Sequence, residues 1–292
     1  MAPNRIVSTQ QEDVSLTDRM QSMTPSRTIV TFVWQHAVLK LRNRSKAYRL
    51  QWVQDTLVQR IASQEKYQGV LRKAEVLGQL VDYVVQHVGE NIHFARMARS
   101  LGLDVRIVRS YMQVLKERGT IVEIPAWTRR PFTRMAKASK WVVQDLRFVC
   151  ALSKGKDAKD YMARLQEAGP RAWQQGMRQL LLPLVTQRLQ RLMQGNSGWS
   201  MYHLCASDRY AVDFLLENAK GDWMAIDVLA TSRPEARTLK NIVWAQDYFT
   251  QHKTHSFLLY MGEATRRLAK NRYAVPILSL WDEAFFRVAS NQ

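Results

Sequence analysis

Asn91–Lys140 reads NIHFARMARSLGLDVRIVRSYMQVLKERGTIVEIPAWTRRPFTRMAKASK, and the rest of the chain is organised around it. The pattern predicts a helix over Phe94–Leu101 closed by Gly102, then a longer one over Asp104–Arg118. Asp104 suits a helix start, where its carboxylate accepts from a free backbone amide, and Gly119 suits the stop. Val108, Tyr111, Met112 and Leu115 recur at helical spacing and are expected in the core. Arg106, Arg109, Gln113 and Lys116 recur at steps of three and four, so they share the opposite face. Thr120–Ile124 suits a strand and Trp141–Gln144 its return. The loop between them carries Arg129, Arg130, Arg134 and Lys137.

Helix, turn, helix and a two-stranded wing with a basic loop is the layout of a winged helix-turn-helix. A helix lying in a major groove needs a face on which Arg and Gln reach base edges and Lys meets phosphate. Charged stripes are more often solvated faces; the binding reading rests on turn, helix and basic wing arriving together. Trp127 and Phe132 alternate with the wing cations. They either lie along the nucleic-acid backbone or anchor the wing to the core.

A chain of 292 residues with 46% hydrophobic and 23% charged residues is long enough for two folded domains. It carries 43 Lys+Arg against 25 Asp+Glu, a formal net charge of +18 and a pI near 10.2. Such an excess points to a polyanionic partner. The first 147 residues hold 24 of the cations and 12 of the acids, which favours the winged half as the phosphate-binding surface. Cys150 and Cys205 lie far apart with no CxxC, so neither a disulfide framework nor a zinc site is expected and a reducing cytoplasm is the natural compartment. No run of about 18 apolar residues offers a membrane span, and the polar start MAPNRIVSTQQEDVSLTD is not a secretory signal.

Three regions are expected: a flexible tail over 1–28, a helical region with the winged helix over 29–155, and an α/β domain over 156–292. The overall class is α+β. Within the second region, Lys40, Arg42, Arg44 and Lys46 form a basic joint between two apolar helical patterns, either a phosphate-contacting elbow or a solvated turn. Leu71–Val88 is the first helix of the winged unit. In the third region two helices break near Gly169-Pro170, with Pro183 kinking the second. The period then changes to two. Tyr210–Glu217 and Trp223–Thr231 are strands joined by a hairpin loop at Asn218–Asp222. A helix over Ala236–His252, a strand over Ser256–Met261, a short basic helix, a strand around Ala274–Leu278 and a terminal helix complete the expectation. His252 and His255 stand three apart without a third ligand and read as surface residues.

Five stretches carry a family resemblance: WVQDTL (52–57), ARSLGLDVRIVRSYMQVLKERGTIVEIPAW (98–127), KASKWVVQD (137–145), YAVDFLLE (210–217) and AIDVLAT (225–231). In order and spacing the chain from about residue 48 resembles the C-terminal half of a group of prokaryotic AAA-superfamily ATPases. There a winged helix precedes a restriction-endonuclease-like, PD-(D/E)xK-type domain, and KASKWVVQD replaces a usual KSPK-x-Y-F-x-D segment. The resemblance implies two acids on adjacent strands that hold a divalent metal, with a Lys that helps activate water. Asp213 and Asp227 match the acids. Leu229 stands where the Lys is expected, and near Gly176 Met177-Arg178-Gln179-Leu180 supplies no helix acid. No G-x-x-x-x-G-K-[ST] occurs, nor room for an ATPase module before residue 48, so nucleotide hydrolysis is not expected.

The combined expectation is a non-catalytic DNA-binding protein with an inactivated nuclease-like domain as scaffold. Asp213 and Asp227 would be relics, solvated or paired with an arginine such as Arg209, or would retain Mg²⁺ binding without catalysis, and no resident cofactor is expected. DNA is the first partner and RNA the alternative, beside protein subunits of a prokaryotic defence or mobile-element nucleoprotein complex. The rival expectation is a metal-dependent nuclease with a rearranged active site.

Overall fold

The computed structural model describes residues 30–31, 34, 41, 44–62, 74–128, 138–153, 155–195, 198–207, 210–249 and 254–281. The expected tail (1–28), Lys40, Arg42, the wing residues Arg129, Arg130, Phe132, Arg134 and Lys137, Arg209, His252 and the expected terminal helix lie outside them.

The chain is an α+β protein, with helices dominating the first half and a sheet the second. Helix α1 (Lys46–Ala62) buries Val53, Leu57 and Ile61, one residue per turn, against α2 (Ala74–Gln86) and α5 (Leu146–Leu152). In α2, Val76, Leu77, Leu80, Val81, Val84 and Val85 are all buried, which makes it the centre of the helical half. Helix α3 (Phe94–Leu101) ends at Gly102, whose φ of 65° is a left-handed conformation that glycine adopts without a Cβ clash. The amide of Leu103 closes that turn on the Ala98 carbonyl, 2.9 Å away. Helix α4 (Val105–Glu117) follows at once, and strands β1 (Ile121–Ile124) and β2 (Lys140–Val143) pair antiparallel behind it.

The second half begins with α6 (Ala158–Glu167) and α7 (Pro170–Gly195), separated at Gly169 as expected. Pro183 lies inside α7, which continues past it. The sheet has the order β3-β4-β5-β6-β8-β7. Strands β3 (Trp199–Ser207), β4 (Tyr210–Asn218) and β5 (Trp223–Leu229) form an antiparallel meander. Asn218 shapes the β4–β5 turn: its Oδ1 accepts from the amides of Lys220 and Asp222, both at 2.9 Å. The crossover through α8 (Lys240–Tyr248) makes β6 (Thr254–Tyr260) parallel to β5. Every residue of β6 is buried, as a strand covered on both faces requires.

The sequence pattern missed β3 altogether. The basic helix expected after Met261 is instead strand β7 (Arg266–Ala269), paired antiparallel with β8 (Arg272–Pro276). Lys270-Asn271 closes that hairpin, and Asn271 takes the left-handed φ of 57° that a tight turn demands. The helix expected over Ala236–His252 is a 3₁₀ turn (Ala236–Leu239) followed by the shorter α8. His255 is not a surface residue: it lies buried in β6.

Helix α7 contacts α5, α6, β2 and β5, and its Met177, Leu180, Leu181, Val185 and Leu189 are fully buried. One apolar core therefore runs from Val30 to Leu280 through both halves.

Candidate nucleic-acid face and carboxylate pocket

Two groups of the residues singled out above are placed by these elements, on opposite sides of the β1–β2 hairpin.

The first is the outer face of α4. Asp104 caps the helix, its Oδ1 accepting from the Arg106 amide at 2.7 Å. Val108, Tyr111, Met112 and Leu115 are buried as their spacing requires. Arg106, Arg109, Gln113 and Lys116 are all exposed on one face. Their partners differ. Gln113 Nε2 donates to Glu117 Oε1 at 3.0 Å, and Lys116 Nζ pairs with Glu123 Oε2 of β1 at 2.6 Å. Among the described residues the Arg106 and Arg109 side chains have no hydrogen-bond or ion-pair partner. The face is thus cationic at its N-terminal end and locally neutralised at its C-terminal end. On the neighbouring α3, Arg96 and Arg99 are exposed and three residues apart, a second pair of cations in the helix-turn-helix. Sequence reasoning passed over them because α3 was read only for its core pattern. Arg44 and Lys46 of the basic joint are exposed at the start of α1, and the Arg44 guanidinium lies 5.0 Å from the Tyr48 ring.

The hairpin itself is fastened to the sheet half. After β1, the Trp127 amide donates to the His203 carbonyl of β3 at 2.8 Å, and the His203 amide donates to the Pro125 carbonyl at 2.9 Å. Trp127 packs edge-on against Trp223 and Phe249, each with centroids 5.0 Å away. Of the two roles open to Trp127, the structure places it as an anchor. On the returning side, the His203 ring lies 3.2 Å from the Ala138 carbonyl through Nε2. Both ends of the loop carrying Arg129, Arg130, Arg134 and Lys137 are therefore held on one residue of β3.

The second group surrounds Asp213, which is 4% exposed on β4. Its Oδ1 accepts from Arg178 Nη2 at 2.6 Å and from Lys140 Nζ at 3.2 Å. Its Oδ2 accepts from Arg178 Nη1 and from the Val228 amide, both at 3.0 Å. Arg178 Nη1 also donates to the Val228 carbonyl at 2.7 Å. The guanidinium passes beneath Gly89, where an added Cβ would meet Nη2 at 2.9 Å. Asp227 is half-buried on adjacent β5, and its Oδ2 accepts from Asn241 Nδ2 of α8 at 3.1 Å. The Asn241 Oδ1 is buried without a partner.

Burial alone would push the Asp213 carboxyl up, but the Arg178 and Lys140 charges outweigh it and hold it well below the usual carboxylate range. Asp227 moves the other way, raised by burial and by the Asp213 charge beside it. Asp213 and Asp227 do come together on adjacent strands, but the cation paired with Asp213 is Arg178, from the helix position where an acid was sought. A divalent metal does not fit this arrangement: all four acceptor sites of Asp213 are filled, three of them by the cationic Arg178 and Lys140, which would repel the ion. Among the described residues no cluster of three His, Cys, Asp or Glu side chains is placed to hold a metal.

A cleft of about 510 Å³ at the end of β5, lined by Trp173, Gln174, Thr231 and Ser232 among others, carries no titratable side chain. Among the described residues no helix is long and apolar enough to cross a membrane.

A family described as "Domain of unknown function (DUF8612)" matches residues 37–159, which cover α1 to α5 and the β1–β2 hairpin and stop at the start of α6. No curated protein matches the chain, and no solved structure does.

Proposed function

We propose that this chain is a non-catalytic DNA-binding protein, in which the helices α2, α3 and α4 with the β1–β2 hairpin act as a winged helix-turn-helix. The single observation that carries the proposal is the exposed pair Arg106 and Arg109 at the capped N-terminal end of α4, whose side chains have no partner among the described residues. The N-terminal part of a recognition helix is the part that reaches base edges. The sheet half serves as scaffold, fixing the stems of the basic loop through His203 and Trp127. Its carboxylate pocket is occupied by arginine, which is why we read the nuclease-like half as inactive.

Duplex DNA binding measured against salt tests this. Arg106→Ala with Arg109→Ala should weaken binding roughly tenfold or more per residue. Each lost phosphate contact should flatten the log–log salt slope by about 0.9. Affinity and slope both unchanged in the double variant would remove α4 from the interface. The same titration with a single-stranded and a duplex RNA separates the RNA alternative. Incubating supercoiled plasmid with Mg²⁺ or Mn²⁺ should leave it intact; nicking that Asp213→Ala abolishes would replace this reading with a metal-dependent nuclease. Co-purification from a native host, with and without nuclease treatment, reads whether other protein subunits of a nucleoprotein complex join it.

A further inference from the structure

We infer that Arg178 is the resident cation of an oxygen-lined pocket that would otherwise take a divalent metal, so that the native chain excludes Mg²⁺ and Mn²⁺ from it. The inference rests on reading the sheet half as an inactive scaffold and is independent of any DNA contact by α4.

The pocket is made of hard oxygen donors, the kind that Mg²⁺ and Mn²⁺ select. Asp213 supplies a carboxylate from β4 and Asp227 another from β5. The Val228 carbonyl faces the same point, since Arg178 Nη1 reaches it at 2.7 Å while also reaching Asp213 at 3.0 Å. The buried Asn241 Oδ1 has no partner, although the same side chain is bonded to Asp227 through its nitrogen. One guanidinium therefore bridges a carboxylate and a backbone carbonyl, as a metal ion between them would. Unlike an ion, it is covalently part of α7, at effectively unlimited local concentration, and cannot be chelated. Lys140 adds a second fixed charge from β2, so the pocket also joins the hairpin to the sheet.

Removing the guanidinium should unmask the site. Shortening Arg178 frees two acceptor positions on Asp213 and the Val228 carbonyl. Wild type and Arg178→Ala are titrated with MnCl₂, reading bound Mn²⁺ by electron paramagnetic resonance and Tm by circular dichroism. Wild type should bind no Mn²⁺ tightly and show no Tm change at millimolar metal. Arg178→Ala should bind one Mn²⁺ and gain about 5 °C at a hundredfold excess over its Kd. Adding Asp213→Asn to that variant should abolish the gain. If Arg178→Ala is unfolded in buffer, Arg178→Met preserves more of the packing; should both be unfolded, refolding in MnCl₂ is expected to restore the helical spectrum. A single Mn²⁺ on wild type that Asp213→Asn removes would overturn the inference. So would folded Arg178 variants indifferent to Mn²⁺, or unfolded ones that Mn²⁺ does not rescue. None of these outcomes depends on whether α4 binds DNA.

Discussion

Arg106 and Arg178 carry the same guanidinium into opposite settings. The Arg106 side chain stands on α4 in solvent and makes no ion pair among the described residues, whereas Arg178 lies on α7 against a buried carboxylate and a backbone carbonyl. Most of the well-partnered arginines behave like the second. Arg49 donates to the carbonyls of Ser153 and Gly155, Arg118 to that of Arg60, and Arg188 to those of Leu280 and Trp281. Arg60 and Arg147 share Asp145 at the start of α5. Guanidinium groups are suited to such work because their rigid fork satisfies several acceptors at once and resists deprotonation. These arginines close helix ends and join elements. A cation engaged in this way is not available to a polyanion, so the cationic excess argues for such a partner only through cations without internal partners.

The contrast breaks most visibly at the buried end. Asp213→Asn leaves Arg178 and Lys140 as uncompensated charges at the junction of α7, β2 and β4, and should cost about 3–5 kcal/mol in urea denaturation. Arg178→Met with Asp213→Leu, which removes the charge pair together, should recover much of that loss. A double variant as unstable as Asp213→Asn would mean that the ion pair does more than neutralise its own burial.

The next effect is in the pH dependence, and the two carboxylates pull it in opposite directions. Asp213 is held below its ordinary value, so its stabilisation is present above an unfolded pKa near 3.8 and is lost as acidification carries the pH through the lower folded value. Asp227 is pushed up to about 7. The unfolded chain releases that proton near 3.8 while the folded chain keeps it, so stability falls as pH rises across this window. Asp227→Asn should flatten the decline between about pH 4 and pH 7 and leave the acid limb in place. Denaturant midpoints at half-unit pH steps check it, and an unaltered slope would show that Asp227 titrates normally.

Which parts were legible follows from how local the signal was. Asp104, Gly102 and the Val108–Leu115 spacing act within one helix and its turn, and each lies where its chemistry placed it. Strand β7 was misread because Arg266, Arg267 and Lys270 look like a helix surface, while its pairing with β8 comes from a turn at Asn271. Strand β3 was missed because it mixes polar and apolar residues irregularly and has register shifts against β4. The carboxylate pair was legible through resemblance. Its partners were not: Lys140 and Arg178 meet Asp213 across 73 and 35 residues of sequence, and no periodicity reports such a contact. Arg178 was noticed only as the absence of an acid, yet that absence marks the residue that fills the site.

At the exposed end the effects are smaller. Asp104→Ala removes the carboxylate that receives the Arg106 amide and should cost about 1 kcal/mol. It also frays the turn carrying Arg106, so DNA affinity should fall with it while the fold persists. Loss of stability without loss of affinity would separate the cap from the binding face.

The finest test lies at the other end of α4, where Glu123 pairs with Lys116. Both side chains are partly exposed, and such pairs contribute well under about 1 kcal/mol, so Glu123→Gln should leave the melting temperature nearly unchanged. It should nevertheless release Lys116 and remove a negative charge from the edge of the face, raising DNA affinity by about two- to threefold and steepening the salt slope. Lys116→Ala in the wild-type background should accordingly weaken binding less than Arg109→Ala, because its charge is already engaged. Equal losses from the two would mean that Lys116 leaves Glu123 for phosphate on binding, and that the whole α4 face, rather than its N-terminal end, meets the nucleic acid.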